Sequence, residues 1–362
     1  MTGRTASASL TNTYGRGMAL VDPALFINLK QHSEGIMEVF NVTNVNQAFP
    51  LEINSIKAKG ISRDSRNGPV IEFIEPVATT YSRPLERVLF DKKRMCNPFF
   101  HSMEGLWIIG GYRDVEFLDY FNSQMKQYSD DGDTFWGAYG YRLRHSAKID
   151  QLDLAVTLLK ANPNDRRVVT TMWDPVLDLG GEKLDHPCNT HIYWKIRDKK
   201  LYMTVCCRSN DMLYGKLGAN VVHFSMLQEY MAFRIGCEVG PYTQISDSLH
   251  VYTSLPVWEA VKDTPYIPED YYDSEYADLL VTPYPMFKDC FLDEWHRDLE
   301  DFMLDPQDDK IYRTPFFQDV AQPISLVWWE HKKNRNGLRY VDSIKATDWR
   351  RACAMWLKEK EA

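Results

Sequence analysis

Long hydrophobic runs are missing from this chain of 362 residues. No stretch reaches the roughly eighteen consecutive apolar residues of a spanning helix, which excludes a helical membrane anchor. Disulfide spacing is missing too. The seven cysteines are an odd number, and Cys206 and Cys207 are adjacent rather than set in a Cys-x-x-Cys pair, so neither a disulfide framework nor a zinc site is indicated. The N-terminal residues are small and polar, with none of the apolar core of a signal peptide. These absences lead to the expectation of a reducing, cytoplasmic setting and no metal. A positive charge balance is lacking as well. Lys and Arg number 42 against 50 Asp and Glu, for a net charge of -8, which argues against a broad nucleic-acid surface. Any anion site must be a local cluster of arginines. Repeats and low-complexity tracts are absent. What is present is an ordinary globular composition, 44% hydrophobic and 13% aromatic, in a chain long enough to bury a sizeable core.

The run from Asp185 to Asn220 carries the most chemistry. Cys188 follows Pro187 at the start of an alternating segment (His191, Tyr193, Lys195) that reads as a strand. After the turn Asp198-Lys199-Lys200, Leu201 to Cys207 reads as a second strand, with Arg208, Ser209 and Asp211 at its far end. Antiparallel pairing would bring Cys188 and Arg208 together. A cysteine in a half-apolar strand is most often an inert core residue, so its weight comes from its company. Upstream, Ser62 to Gly68 is a polar turn with two arginines, Arg63 and Arg66, able to present a guanidinium to a phosphate, although most such turns are simply solvated. Asn97 to Tyr112 reads as an apolar helix closed by Gly110-Gly111. Glu104 lies within its apolar face, where a carboxylate is costly unless it has partners or a task. Ile149 to Leu159 has helical spacing, and the paired Arg166-Arg167 precede a short segment from Val168 to Trp173. His250 and Tyr252 are two apart, so on a strand they share a face.

In this order, over about residues 60 to 255, these pieces resemble the thymidylate synthase family, which includes the pyrimidine-nucleotide hydroxymethylases. The resemblance rests on Pro187-Cys188, Arg208-Ser209-Asn210-Asp211, Gly215, Asn220 and the helix pattern from Val221 to Ala232. Arg66-Asn67-Gly68 is similar to the family's phosphate-binding Arg-Thr-Gly. Glu104 and Trp107 match its Glu-Leu-Leu-Trp-Phe-Leu helix, Tyr139 opens its Tyr-Gly-x-x-x-Arg segment, and Ser248-Leu249-His250-Val251-Tyr252 resembles its Asp-x-His-x-Tyr. The resemblance implies an α/β (α+β) fold, a large mixed sheet flanked by helices with one sheet face at a dimer contact. It implies a homodimer in which Arg166 and Arg167 reach the phosphate held by Arg66 and Arg208 of the other subunit. Cys188 would add to C6 of the pyrimidine, Glu104 would organise water and relay protons, and Tyr139 would stand near the proton leaving the ring. Ser209, Asp211 and Asn220 would bind the nucleotide, and His250 and Tyr252 would hold the sugar 3′-hydroxyl. Trp107, Asp211 and Gly215 would meet the cosubstrate, 5,10-methylenetetrahydrofolate.

Two departures bear on the product. The family's synthases usually carry Leu three residues before the nucleophile and His just after it; this chain has Asp185 and Asn189. The phage-type deoxycytidylate hydroxymethylases share the Asp and lack the His. A carboxylate there could activate water. The Asn220 slot, for which Ala219 is the alternative because the preceding loop is one residue longer than is usual in the family, points to uracil, since a carboxamide answers its donor at N3 and acceptor at O4. A free thiol titrates near ~8.5, and Arg208 is expected to lower that value. The expected activity is conversion of dUMP to 5-hydroxymethyl-dUMP. The alternatives are a thymidylate synthase, a dCMP hydroxymethylase and a catalytically idle nucleotide- or RNA-binding relative. Residues 1–55 read as an N-terminal extension, 56–260 as the catalytic core and 261–362 as a C-terminal extension packed on it.

Overall fold

The computed structural model describes residues 37–265, 269–273 and 279–361. Two sheets organise them. The larger has six strands in the order β1-β4-β9-β7-β6-β5: β1 (Glu38–Val42), β4 (Val77–Tyr81), β5 (Val169–Thr171), β6 (Asn189–Arg197), β7 (Lys200–Cys207) and β9 (Glu238–Ser246). The smaller contains β2 (Ile61–Ser65), β3 (Gly68–Glu72), β10 (Leu249–Tyr252) and the two-residue β8 (Asn210–Asp211), in the order β2-β3-β10-β8. Both sheets mix parallel and antiparallel pairs, so the fold is the mixed α/β arrangement expected. Of the stretch read as an N-terminal extension, residues 1–36 lie outside the described residues. Residues 37–55 supply β1 and most of α1 (Val45–Lys59).

The β6–β7 hairpin forms where the alternation predicted it. Its turn places Asp198 and Lys199 at φ of 49° and 61°, the left-handed pair that a two-residue hairpin with right-twisted strands requires. One face of the large sheet is apolar and buried, with Trp194, Met203, Val205 and Tyr242 among its residues. Helix α5 (Val221–Ile235) packs on β7 and β9 of this sheet. The other face is open. Along it the register aligns Val39, Ala78, Ile245, Cys206, His191 and Thr171 in one row and Asn41, Thr80, Thr243, Thr204, Tyr193 and Val169 in the next. Val39 is 54% exposed, Val169 45% and Tyr193 44%, a broad, weakly polar surface with no helix over it among the described residues.

Helix α2 (Pro98–Gly110) has the sequence signals its ends demand. The Asn97 side chain accepts from the Phe100 amide at 3.1 Å, Pro98 occupies the first turn, and Gly111 closes the helix at φ 79°. α2 packs against α5 on one side. The C-terminal residues pack on it through α6 (Leu292–Leu304), α7 (Gln322–Asn334) and α8 (Thr347–Lys360). Phe99 of α2 meets Trp328 at 5.3 Å and Trp356 at 5.6 Å between ring centroids, and the Trp328 indole donates to the Tyr120 carbonyl at 3.0 Å. No helix among the described residues is long and apolar enough to cross a membrane.

In α8, Asp348 is buried and accepts from the Tyr272 hydroxyl at 3.0 Å. Burial pushes its carboxyl up to about 6. A carboxyl raised on folding binds its proton more tightly in the native state, so its favourable contribution is present at low pH and is lost as pH rises through about 6. The shift corresponds to roughly 3 kcal/mol. Asp348→Asn removes the titration, so the variant's stability relative to the parent is expected to increase between about pH 4 and pH 7 in denaturant unfolding. A difference that does not change with pH would contradict this account.

Candidate active site

A cleft of about 380 Å³ opens between the β2–β3 turn and the outgoing ends of β7 and β10. Arg66, Arg208, Ser209, His250 and Tyr252, all named from the sequence, line it together with Trp173 and His186, which sequence reasoning had not singled out. Arg66 sits at the tip of the β2–β3 hairpin, where Ser65 Oγ donates to the Gly68 carbonyl at 2.6 Å and Gly68 adopts φ 117°. A side chain at Gly68 would strain that turn.

Cys188 is not part of this lining but adjoins it through Arg208. The Arg208 amide donates to its carbonyl at 2.9 Å, so the pairing of β6 and β7 does bring the two residues together. The Arg208 guanidinium grips the loop that leads into Cys188, with Nε donating to the Pro187 carbonyl at 3.0 Å and Nη2 to the His186 carbonyl at 3.3 Å. Nη2 lies 3.9 Å from Sγ, and the guanidinium rests 5.4 Å from the Trp173 ring centroid. The expected lowering of the thiol pKa is corrected by this environment. Burial pushes the Cys188 thiol up, and the fields of Arg208 and Arg66 only partly oppose it. Desolvation penalises the thiolate more than two cations favour it.

Asp185 and Tyr139 lie in the field of the sulfur, and Glu104 in that of Asp185. Asp185 accepts from the Gly137 amide at 2.8 Å. Its carboxyl is raised by burial, against the pull of that hydrogen bond and of Arg142, with Glu104 among the charges that act on it. A Cβ on Gly137 would lie 2.9 Å from the Pro187 nitrogen and 3.1 Å from the Asp185 side chain, so only glycine lets the Trp136–Tyr139 segment approach. Tyr139 neighbours Cys188 and Cys207, and burial holds its phenol well above the ordinary value. Glu104 projects from α2, and its Oε2 lies 2.9 Å from Nε2 of the buried His223 on α5, in an alignment that makes no hydrogen bond for either atom. His223 was missed because its segment was read only as an apolar helix.

Asn220 is buried. Its Oδ1 accepts from Asn189 at 3.1 Å and its Nδ2 donates to Asn210 at 3.1 Å; Asn210 in turn donates to Ser246 at 2.9 Å. Asp211 begins the π-helical run Met212–Asn220, where its Oδ1 accepts from the amides of Leu213 at 2.7 Å and Tyr214 at 2.9 Å; burial raises its carboxyl. Lys216 anchors the same run. Fully buried, its Nζ meets Glu52 of α1 at 2.5 Å and Thr79 of β4 at 2.7 Å. Removing one partner of such a buried pair typically costs about 3–5 kcal/mol. Gly215 faces Asn210 so closely that a Cβ would lie 2.8 Å from its Oδ1.

Only five of the predicted residues line the cleft; Trp107, Arg166 and Arg167 are among the ten that do not. Trp107 is buried, edge-on to Phe135 with ring centroids 6.0 Å apart, and donates to Asp114 at 3.2 Å. Arg166 and Arg167 are exposed, Arg167 pairing with Asp165 at 2.8 Å. Among the described residues no group of three or more His, Cys, Asp or Glu is placed to hold a metal ion.

Comparison with known proteins follows the same lines. Residues 48–269 match the family model described as thymidylate synthase. The chain is 42% identical to the deoxyuridylate hydroxymethyltransferase of Pseudomonas phage M6, over 90% of this chain and 95% of that protein. It is 41% identical to the protein of the same name from Bacillus phage SP01, over 51% of each. It is 38% identical to the thymidylate synthase of Bacillus licheniformis, over 33% of this chain and 44% of that one.

Proposed function

Because this chain belongs to the thymidylate synthase family and is a one-carbon transferase, we propose that it hydroxymethylates C5 of dUMP, giving 5-hydroxymethyl-dUMP. The one-carbon unit would come from 5,10-methylenetetrahydrofolate, with Asp211 and Gly215 as the residues to hold it. The carrying observation is Asp185: a burial-raised carboxyl in the fields of Cys188 and Glu104. The name shared by the phage relatives supports the same product.

Each residue has a task. Arg66 and Arg208 take the nucleotide phosphate, and binding energy spent on that remote group positions the ring over Cys188. The sulfur adds to C6 and makes C5 nucleophilic. Arg208 Nη2, 3.9 Å away, is the cation placed to favour the thiolate. Tyr139, kept protonated by burial, acts through its hydroxyl hydrogen rather than as a standing base. Glu104, next to His223, orders water and moves protons at the base. C5 takes the one-carbon unit, loses its proton and releases the carrier, which leaves an exocyclic methylene. Asp185 removes a proton from the water that adds there, and the ring electrons then expel the Cys188 thiolate from C6. The raised pKa of Asp185 makes it a stronger base than an ordinary carboxylate. The amide row ending at Asn220 supports uracil over cytosine.

The open sheet face supports a homodimer in which Arg166 and Arg167 complete the partner's phosphate site. In this reading residues 261–362 are an extension packed on the core, outside the catalytic set, and the enzyme works in the cytoplasm.

Incubating purified protein with dUMP and methylenetetrahydrofolate tests the reaction. A product heavier by CH2O, without dihydrofolate absorbance, is expected. A product heavier by CH2, with dihydrofolate, overturns the proposal. As the working base, Asp185 must be ionised, so activity falls as pH drops through its raised pKa. Asp185→Asn is expected to lose about 10²–10⁴-fold in kcat and to lose that acid limb; an unchanged pH profile would remove Asp185 from the mechanism.

A further inference from the structure

The smaller sheet places a carboxylate behind the predicted sugar-binding histidine. β3 and β10 pair antiparallel with Glu72 directly opposite His250. The Ser248 hydroxyl donates to Glu72 Oε1 and stands 3.5 Å from His250 Nδ1, a stretched contact at the outer limit of a hydrogen bond. On the other side, Arg63 Nε lies 3.7 Å from Glu72 Oε2. Glu72, Ser248, His250 and Tyr252 all border the cleft, and His250 and Tyr252 meet edge to face at 5.1 Å.

We propose that Glu72 is a positioning residue that, through Ser248, turns His250 into a hydrogen-bond acceptor for a sugar hydroxyl. The direction of the chain follows from donor counting. An ionised carboxylate only accepts, and a serine has a single hydroxyl hydrogen. With that hydrogen given to Glu72, Ser248 can offer His250 only a lone pair. Nδ1 must then carry the ring hydrogen, which leaves Nε2 of the neutral imidazole bare. A bare nitrogen selects an O–H donor and discriminates against a carbonyl or phosphate oxygen. The ligand class is therefore a nucleotide with a free hydroxyl at this position of the sugar. The inference rests on the nucleotide reading above and adds the residue that sets its polarity.

The test is calorimetric and needs no turnover. Affinities for dUMP and for 2′,3′-dideoxy-UMP, which lacks the 3′-hydroxyl, are measured on the full chain and on Glu72→Gln and Ser248→Ala. The parent is expected to prefer dUMP by about tenfold, the scale of one satisfied buried hydrogen bond. In Glu72→Gln the amide can donate to Ser248 and reverse the chain, so the preference should collapse to about twofold or less while dideoxy affinity holds. Ser248→Ala should collapse it likewise and provides the answer should the first variant not fold. A preference that survives in both variants, or equal weakening of both ligands, overturns the role of Glu72. Failure of the parent to bind dUMP at all overturns the nucleotide reading itself.

Discussion

Cys188→Ala is expected to lower kcat by about four orders of magnitude or more while leaving dUMP affinity within about threefold. The two effects separate because the sulfur and the phosphate cleft are held by different contacts. Arg208 grips the carbonyls of His186 and Pro187, neither of which depends on the thiol. The cleft bordered by Arg66, Ser209 and Tyr252 needs no sulfur either. The burial that raises the Cys188 thiol makes the variant's apolar methyl group easy to accommodate. Single-turnover kinetics beside calorimetry would measure both quantities. A variant that still turns over within tenfold of the parent would end the covalent reading; one that loses turnover and affinity together would recast Cys188 as structural.

The second large effect concerns assembly. Double substitution of Arg166 and Arg167 to Glu is expected to abolish activity, since the cleft that loses them would be the partner's. Mixed after refolding with Cys188→Ala protein in equal amounts, two inactive preparations should regain about a quarter of parental activity. Random pairing makes half the dimers hybrid, and each hybrid has one site with both its cysteine and its partner's arginines intact. No recovery on mixing would mean that the arginines serve their own subunit or none. The open face carrying Val39, Val169 and Tyr193 is where the two copies would meet.

Much of this site could be read from the chain because its parts sit at the ends of strongly patterned elements. The β6–β7 hairpin announces itself by alternation and a polar turn, and it fixes Cys188 beside Arg208 by register alone. α2 is bounded by Asn97, Pro98 and Gly111, each with a local reason to be there. What stayed hidden depends on distance in space rather than in sequence. The parallel pairing of β1 with β4 leaves no local mark, so residues 37–55 read as peripheral although they form a sheet edge and hold Glu52 against Lys216. The run Met212–Asn220 has no helical period, and its π-helical winding comes from the Asp211 cap and the buried lysine. The thiol's direction of titration reversed because burial, a tertiary quantity, outweighs a neighbouring arginine whose presence is visible in the sequence. Glu72 drew no attention for the same reason: its partner His250 lies far along the chain and meets it only through cross-strand register.

One consequence follows from the aromatic contacts of α2. The helix that carries Glu104 has α5 against one flank and Trp328 and Trp356 against another. Phe99, Ile108 and Ile109 along it are essentially without solvent exposure. A fragment trimmed to the family-matched segment would leave the far side of that helix greasy and naked. The tail is thus no removable ornament, and expression tags or fusions belong beyond Glu361 rather than in place of the last hundred or so residues.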